Sequence, residues 1–302
     1  MSEAKKIGFI GCGLMGHGIA KNLIKGGNML TIFNHPGNQP VDDLVSQGAV
    51  LRDNIAEIVS GVEFVFICVT GSPELRSVVF GDQGVLAGLQ PGTVIIDATT
   101  GEPSSTLEVS EALHQAGGFY MDAPMTRTPK EAEEGRLNVM VGGEQAIIDK
   151  AQPLISCYAE NMFVSGPVSS GQRMKLLHNF ISLGTAVLLS EAYATAGKAG
   201  VDRNVLTEVL ASGGGDSVVL KRLIPYIEKG DSSGFLFSLS NARKDMKYYT
   251  HMAEELNVGA YCAESIHQTL ITAANVAGEQ RPMPELIDVL AGIHGAPLCK
   301  QD

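Results

Sequence analysis

A chain of 302 residues with 22 Lys and Arg against 33 Asp and Glu carries a formal charge of −11. It therefore offers no basic field to a nucleic acid, whose binding depends on displacing counterions from phosphates. Its 44% hydrophobic and 18% charged residues are those of a folded globular protein, and this length divides comfortably into two domains. The five cysteines (Cys12, Cys68, Cys157, Cys262 and Cys299) include no CxxC pair, which argues against a zinc site and against a disulfide framework. No apolar leader precedes the first apolar run. The longest charge-free apolar stretch, residues 176–190, falls short of the ~20 residues that span a bilayer. A cytoplasmic protein with no membrane segment is the expectation.

The first half alternates short apolar runs with amphipathic stretches. Residues 7–10, 29–33, 64–69, 94–97, 119–121 and 137–141 read as strands. Most are continuously apolar rather than alternating, as parallel strands covered on both faces are. Helical patterns lie between them at 18–25, 41–47, 73–79 and 104–116. Strand–helix alternation with short connections predicts an α/β fold with a Rossmann-type doubly wound sheet. Beyond residue 164 the strand signal fades, and 166–171 reads as a joint whose serines can cap the next helix. A proline-free apolar pattern then runs to about residue 200, predicting one helix of about 30 residues, ~45 Å long. Further helices are expected at 203–210, 218–228, 241–256, 261–276 and 284–290. The expected organisation is a dinucleotide-binding domain over 1–165 and an all-α C-terminal domain over 166–302, with the long helix as the joint.

The strand at 7–10 leads at once into Gly11-Cys12-Gly13-Leu14-Met15-Gly16 and a helix. In that context GxGxxG has a mechanism. Gly11 permits the tight turn, Gly13 lets a pyrophosphate approach the backbone, Gly16 lets helix pack on strand, and the helix N-terminus faces the phosphates. The second strand ends in Asn34-His35, neither the acidic residue that selects NAD nor the arginine that selects NADP, so the choice between these cofactors stays open. On the long helix Lys175 and Asn179 are four apart and share a face, with His178 beside them. A lysine in an apolar segment is either a snorkelling side chain or a general acid/base made less basic by desolvation. Lys244-Asp245, taken alone, reads as a solvated helix face.

Together these pieces resemble the β-hydroxyacid dehydrogenase family over nearly the whole chain. The resemblance rests on five ordered motifs: the glycine loop with Asn22-Leu23, then Asp97-Ala98-Thr99-Thr100-Gly101-Glu102-Pro103, then Asp122-Ala123-Pro124 trailed by Gly135 and Leu137. After these come Gly171-Gln172-Arg173-Met174-Lys175 with Asn179, and finally Phe237 with Lys244-Asp245. It implies Lys175 as catalytic lysine with Asn179 as partner, and Met125, Thr126, Arg127 and Gly171 around the substrate. Around NAD or NADP it implies the glycine loop with Leu14 and Met15, then Asn34, His35, Val69, Thr70, Thr99 and Lys244. No metal is implied. The implied reaction interconverts a small anionic hydroxy acid and its semialdehyde, in a homodimer or homotetramer. An imine reductase, which shares the layout, and a non-catalytic dinucleotide sensor are the alternatives; a proton-relay lysine at 175 discriminates against both.

The departures bear on substrate. Met125-Thr126-Arg127-Thr128 stands where the family has Val-Ser-Gly-Gly, so a hydroxyl is kept but an arginine replaces a glycine. The 3-sulfolactaldehyde reductase branch is similar in having Arg-Thr here, which implies a substrate with a strong anion at its far end. Val69-Thr70-Gly71 replaces the family's Leu-Pro, and His178 replaces an Asn.

Overall fold

The computed structural model describes residues 4–298; Cys299 lies outside them. Contacts divide the chain into two compact units, Met1–Lys175 and Leu176–Asp302.

The first unit runs β1 (Lys6–Ile10), α1 (Gly16–Lys25), β2 (Met29–Phe33), α2 (Asp42–Ser46), β3 (Val50–Arg52), α3 (Ile55–Ser60), β4 (Phe64–Ile67), α4 (Ser72–Phe80) and α5 (Val85–Gly88). It continues through β5 (Val94–Asp97), α6 (Pro103–Gln115), β6 (Phe119–Asp122), β7 (Met125–Thr126), α7 (Pro129–Glu133), β8 (Leu137–Gly142), α8 (Gln145–Ile155), β9 (Ala159–Gly166) and the start of α9 (Ser170–Ala199). The sheet order is β3-β2-β1-β4-β5-β6-β8-β7, with β9 on β8. Strands β1 to β6 pair in parallel, whereas β8 is antiparallel to β6 and β7. The order therefore reverses between β1 and β4, which opens the crevice where doubly wound sheets bind ligands. Successive side chains of β4 point to opposite faces, and both faces are buried. Phe64 and Phe66 join Phe9, Ile19 and Leu23 on one side, while Val65 and Ile67 join Val79, Val109 and Leu113 on the other.

All six expected strands are present, and three are added. Strand β4 stops at Ile67 rather than at residue 69, because the Val69 amide leaves the ladder and donates to the Thr99 hydroxyl. The added strands are short or poorly covered: β3 has three residues, β7 two, and no residue of β9 is fully buried although Met162-Phe163-Val164 is apolar.

In the second unit, the rest of α9 packs with α10 (Arg203–Ala211), α11 (Val218–Lys229), α12 (Leu239–Glu255), α13 (Tyr261–Ala277) and α14 (Leu286–Ile293). Its core gathers Leu183, Tyr193, Leu223, Tyr226, Met246 and Leu270. Side-chain caps from Asp202, Ser217 and Ser238 satisfy the first amides of α10, α11 and α12. Among the described residues no helix is long and apolar enough to cross a membrane.

One polar clasp fixes how α1 meets its neighbours in the first unit. The ring of His17 sits between Glu133 of α7, at 2.7 Å, and Asp43 of α2, at 3.0 Å; Lys21 reaches the second oxygen of Glu133 at 2.6 Å. Burial works against a charged imidazole, but the bonds to Glu133 and Asp43 outweigh it and raise the His17 pKa. Burial likewise opposes ionisation of the two carboxyls. The bonds from Lys21 and His17 to Glu133, and from His17 to Asp43, nevertheless hold both below their ordinary values. A base raised in the folded state stabilises fully below its unfolded pKa and loses that contribution as pH rises through the folded one. His17→Gln is therefore expected to destabilise more at about pH 5.5 than at about pH 8.5. Denaturant midpoints of both proteins at the two pH values check this; an equal difference at both would show that the charged clasp adds nothing.

Candidate active site

The turn from β1 into α1 is built by its glycines. Gly11 has φ +95°, and a Cβ there would lie 2.2 Å from the carbonyl oxygen of Cys68 at the end of β4. A Cβ on Gly16 would lie 2.0 Å from the Gly11 carbonyl oxygen. These two positions are closed by the protein itself. Gly13 differs: a Cβ there would meet nothing within 4 Å, so its bareness serves something other than the fold. Helix α1 has no side-chain cap and no acidic residue in its first turn, so no side chain competes with an anion there, while the His17 amide is spent on the Gly13 carbonyl at 2.9 Å. These features fit a dinucleotide pyrophosphate. Leu14 is exposed over the loop, whereas Met15 packs against the core.

The expected ribose end is polar and open. Asn34 and His35 are exposed; Asn34 donates to Asp53 at 2.8 Å, and the His35 ring accepts from the Gly37 amide at 3.0 Å. Asn38 accepts from the Cys12 amide at 3.1 Å, bracing this segment on the glycine loop. Arg52 and Asp53 come from the end of β3, where Phe33 is registered against Arg52. Sequence reading missed both, because their place beside Asn34 depends on strand pairing.

Thr99 is 1% exposed and joins three elements. Its hydroxyl accepts from the Val69 amide at 3.2 Å, its amide donates to Asp97 at 2.9 Å, and its carbonyl accepts from Gln172 at 2.7 Å. The other end of the Gln172 amide accepts from Gly101 at 3.0 Å. Asp97 also accepts from the Tyr120 hydroxyl at 2.6 Å. Burial pushes Asp97 up to about 6, although the bonds from Tyr120 and Thr99 pull it down. Thr70 is exposed beside Val69.

Lys175 is 8% exposed, on the second turn of α9. The serine expected to cap this helix does not do so. Ser169 spends its hydroxyl on the Pro103 carbonyl at 3.2 Å, and the amides of Ser169 and Gln172 donate instead to Asp122, at 2.6 and 2.8 Å. Gly171 lies against strand ends, where a Cβ would be 2.5 Å from the Met140 carbonyl oxygen.

Met125 and Thr126 are buried in β7, registered on Val139 and Asn138 of β8. Met125 faces the core, so its side chain is committed to packing. Arg127 has φ +85°, and its guanidinium pairs with Glu160 of β9 and donates to the Arg136 carbonyl. Thr128 then opens α7 with a capping box to Glu131.

In the second unit, Asn179 is 6% exposed and donates to Asp245 at 2.6 Å, while its oxygen meets the His178 ring at 2.9 Å. Asp245 is 2% exposed, and Lys244 approaches it at 3.2 Å with its ammonium over the Tyr248 ring. The Asn179–Asp245 bond spans 66 residues and has no local signature. Among the described residues no group of three or more His, Cys, Asp or Glu is arranged to hold a metal ion.

The chain matches the NAD binding domain of 6-phosphogluconate dehydrogenase over residues 6–166, more than half its length. It matches the NAD-binding region of NADP-dependent 3-hydroxyisobutyrate dehydrogenase over residues 169–290. It is 30% identical to 2-(hydroxymethyl)glutarate dehydrogenase of Eubacterium barkeri, over 85% of each chain. It is 28% identical to 2-hydroxy-3-oxopropionate reductase of Escherichia coli, over 94% of this chain and 97% of that protein. Its fold is that of the solved 3-hydroxyisobutyrate dehydrogenase of Mycobacterium tuberculosis with L-serine, at a TM-score of 0.84 and 21% identity over 95% of this chain and 99% of that one. The chain thus belongs to the β-hydroxyacid dehydrogenase family and is an NAD(P)-dependent oxidoreductase of the hydroxyacid dehydrogenase and semialdehyde reductase type.

Proposed function

We propose that this enzyme interconverts a small anionic 3-hydroxy acid, or the corresponding hydroxy sulfonate, and its semialdehyde, with Lys175 as the proton relay. The observation that carries this reading is a buried lysine on a helix whose first turn is bonded, through Gln172, to the loop bearing Thr99. Bound NAD or NADP supplies the hydride acceptor for oxidation and the hydride donor for reduction. Lys175 Nζ takes the hydroxyl proton as the alcohol is oxidised and returns it to the carbonyl oxygen in reverse, the general acid/base role that a lysine in low dielectric can fill. Asn179, one turn farther along the same helix, orients the lysine or the substrate; its amide is itself held by Asp245.

Thr126 offers its hydroxyl to the substrate's acid group from the end of β7. Arg127 selects the stronger anion: its planar donor fork suits a sulfonate or second carboxylate, for which its partner Glu160 would compete. The enzyme is further read as a cytoplasmic homo-oligomer, for which the exposed Met174, Leu177, Ile181 and Leu188 of α9 supply an apolar assembly face.

Lys175→Ala is expected to lower kcat by ~10²–10⁴ while leaving cofactor affinity nearly unchanged. A semialdehyde panel followed by cofactor absorbance, with fluorescence titration of the cofactor, checks both; more than half of wild-type kcat would remove Lys175 from the reaction. Gly13→Val should do the opposite, because a Cβ there meets no protein atom within 4 Å and the side chain would stand where the loop reading puts the pyrophosphate. A folded protein binding both NAD(H) and NADP(H) ~10-fold or more weakly is expected, and unchanged titrations would refute the loop assignment.

Arg127→Gly should cost ~10-fold or more in kcat/KM for an anionic semialdehyde and far less for an uncharged aldehyde of equal length. Glu160→Gln should lower KM for the anion by freeing the guanidinium. Equal effects on charged and uncharged substrates would leave Arg127 as a structural partner of β9 alone.

A further inference from the structure

Asp122 stands at the end of β6 with 0% exposure, and nothing in the proton relay uses it. Its two oxygens divide between two amides at the start of α9: Oδ1 accepts from Ser169 at 2.6 Å and Oδ2 from Gln172 at 2.8 Å. A helix leaves its first amides without intrahelical partners, and the usual remedy is the side chain of the residue that opens it. Here that residue is Ser169, whose hydroxyl is turned to Pro103 and whose backbone has φ +77°. The cap comes instead from a carboxylate 47 residues earlier in the chain. Two glycines admit it. A Cβ on Gly142 would lie 2.7 Å from Oδ1, and one on Gly171 would lie 2.7 Å from Oδ2.

We propose that Asp122 is a positioning residue for Lys175, fixing the height and rotation of the first turn of α9 on the end of β6. This rests on the proton-relay reading of Lys175. Gln172 belongs to the same device. Its amide is received by Asp122 while its side chain holds Thr99 and Gly101, so one residue ties strand end, cofactor-side loop and lysine helix together. The anchor has the sign the site requires, because a carboxylate is favoured at a helix N-terminus and its bonds to N–H groups are short and strong. It has the needed leverage as well. Lys175 is three residues beyond Gln172, so a slip of one residue in the first turn would swing its side chain by roughly 100° about the helix axis.

A protonated Asp122 would present an O–H to an N–H and lose one of its two bonds. Burial pushes this carboxyl up to about 7 despite the bonds from Ser169 and Gln172, with the neighbouring Asp97 adding to the rise. Asp97 and Tyr120 are the other titratable groups facing it.

The test is Asp122→Asn, which keeps the shape but sets an amide N–H against an amide N–H. In the reduction direction the expected kcat is ~10²-fold lower, as an ångström-scale displacement of a catalytic group produces, with cofactor affinity unchanged. The wild-type kcat profile should fall on the acid side near the Asp122 pKa and on the basic side as Lys175 loses its proton. The variant should keep the basic limb and lose the acid one. Amide exchange in residues 169–175, read by mass spectrometry without substrate, should quicken. Wild-type kcat with both limbs intact, or unchanged exchange, overturns the proposal. Should Asp122→Asn not fold, Gln172→Ala cuts the side-chain half of the device: a large loss in kcat with quickened exchange at 169–175 supports it, and wild-type kcat overturns it. Failure of the proton relay itself is separate, appearing as an active Lys175→Ala enzyme whether or not the exchange at 169–175 responds.

Discussion

The C-terminal edge of the parallel sheet is held by two buried carboxylates, Asp97 and Asp122, which are directly registered across β5 and β6. Each ends its strand by accepting backbone amides from the segment that comes next or lies over it. Asp97 takes the Thr99 amide and the Tyr120 hydroxyl, and Asp122 takes the amides that open α9. Parallel strands deliver their connections to this edge, and a polar chain leaving a fully apolar sheet needs acceptors exactly where the ladder stops supplying them. Asp97 thus sets the Thr99 loop and Asp122 the first turn of α9, and Gln172 locks the two to each other.

That arrangement is unfavourable to stability. Burial raises Asp97 to about 6 and Asp122 to about 7, so the folded protein binds protons more tightly than the unfolded chain between the ordinary carboxylate range and neutrality. Stability contributed by these two groups accordingly falls as pH rises through that window. The His17 clasp in the first turn of α1 has the opposite character, since both its carboxyls are lowered and its imidazole is raised, each shift reflecting a favourable ion pair. The contrast separates the two kinds of charge. The clasp holds helices together, whereas the strand-end carboxylates hold a helix terminus and a loop in position at the expense of desolvation.

The parts legible in the sequence are those whose constraint is local. Gly11 and Gly16 close one turn between residues five apart, and the continuous apolar runs of β1, β4 and β5 follow from burial of both sheet faces. The buried lysine is legible for the same reason, as a charge inside an apolar helical pattern. What could not be read depends on pairing over distance. Arg52 and Asp53 reach Asn34 only because β3 pairs with β2, and Asp245 reaches Asn179 from another helix. Strand β9 carries Glu160 to Arg127 on a segment whose only apolar run, Met162-Phe163-Val164, is short and not fully buried. The acidic residues nearest Arg127 in sequence are engaged elsewhere: Glu131 caps α7, Glu133 holds His17 and Lys21, and Glu134 pairs with Arg136. The capping serine failed for a related reason, since Ser169 has the right chemistry but a backbone that turns its hydroxyl to Pro103.

Backbone strain marks the same two segments. Among the described residues, the non-glycine positions with positive φ are Arg127, Ser169 and Asn257. Two of these three flank the residues assigned to substrate and proton transfer, and such conformations cost of order 1–3 kcal/mol each, persisting only where the surroundings hold them. At Ser169 the hold is the Asp122 carboxylate and the Pro103 carbonyl. At Arg127 it is Glu160, the Arg136 carbonyl and the capping box that begins one residue later. Glycine at 127 would adopt φ +85° without that penalty, so its conformational ease offsets the lost ion pair, which is partly exposed and worth little. The arginine is thus costly to the fold, and under the proposal that it reads the far anion of the substrate that cost is offset by binding.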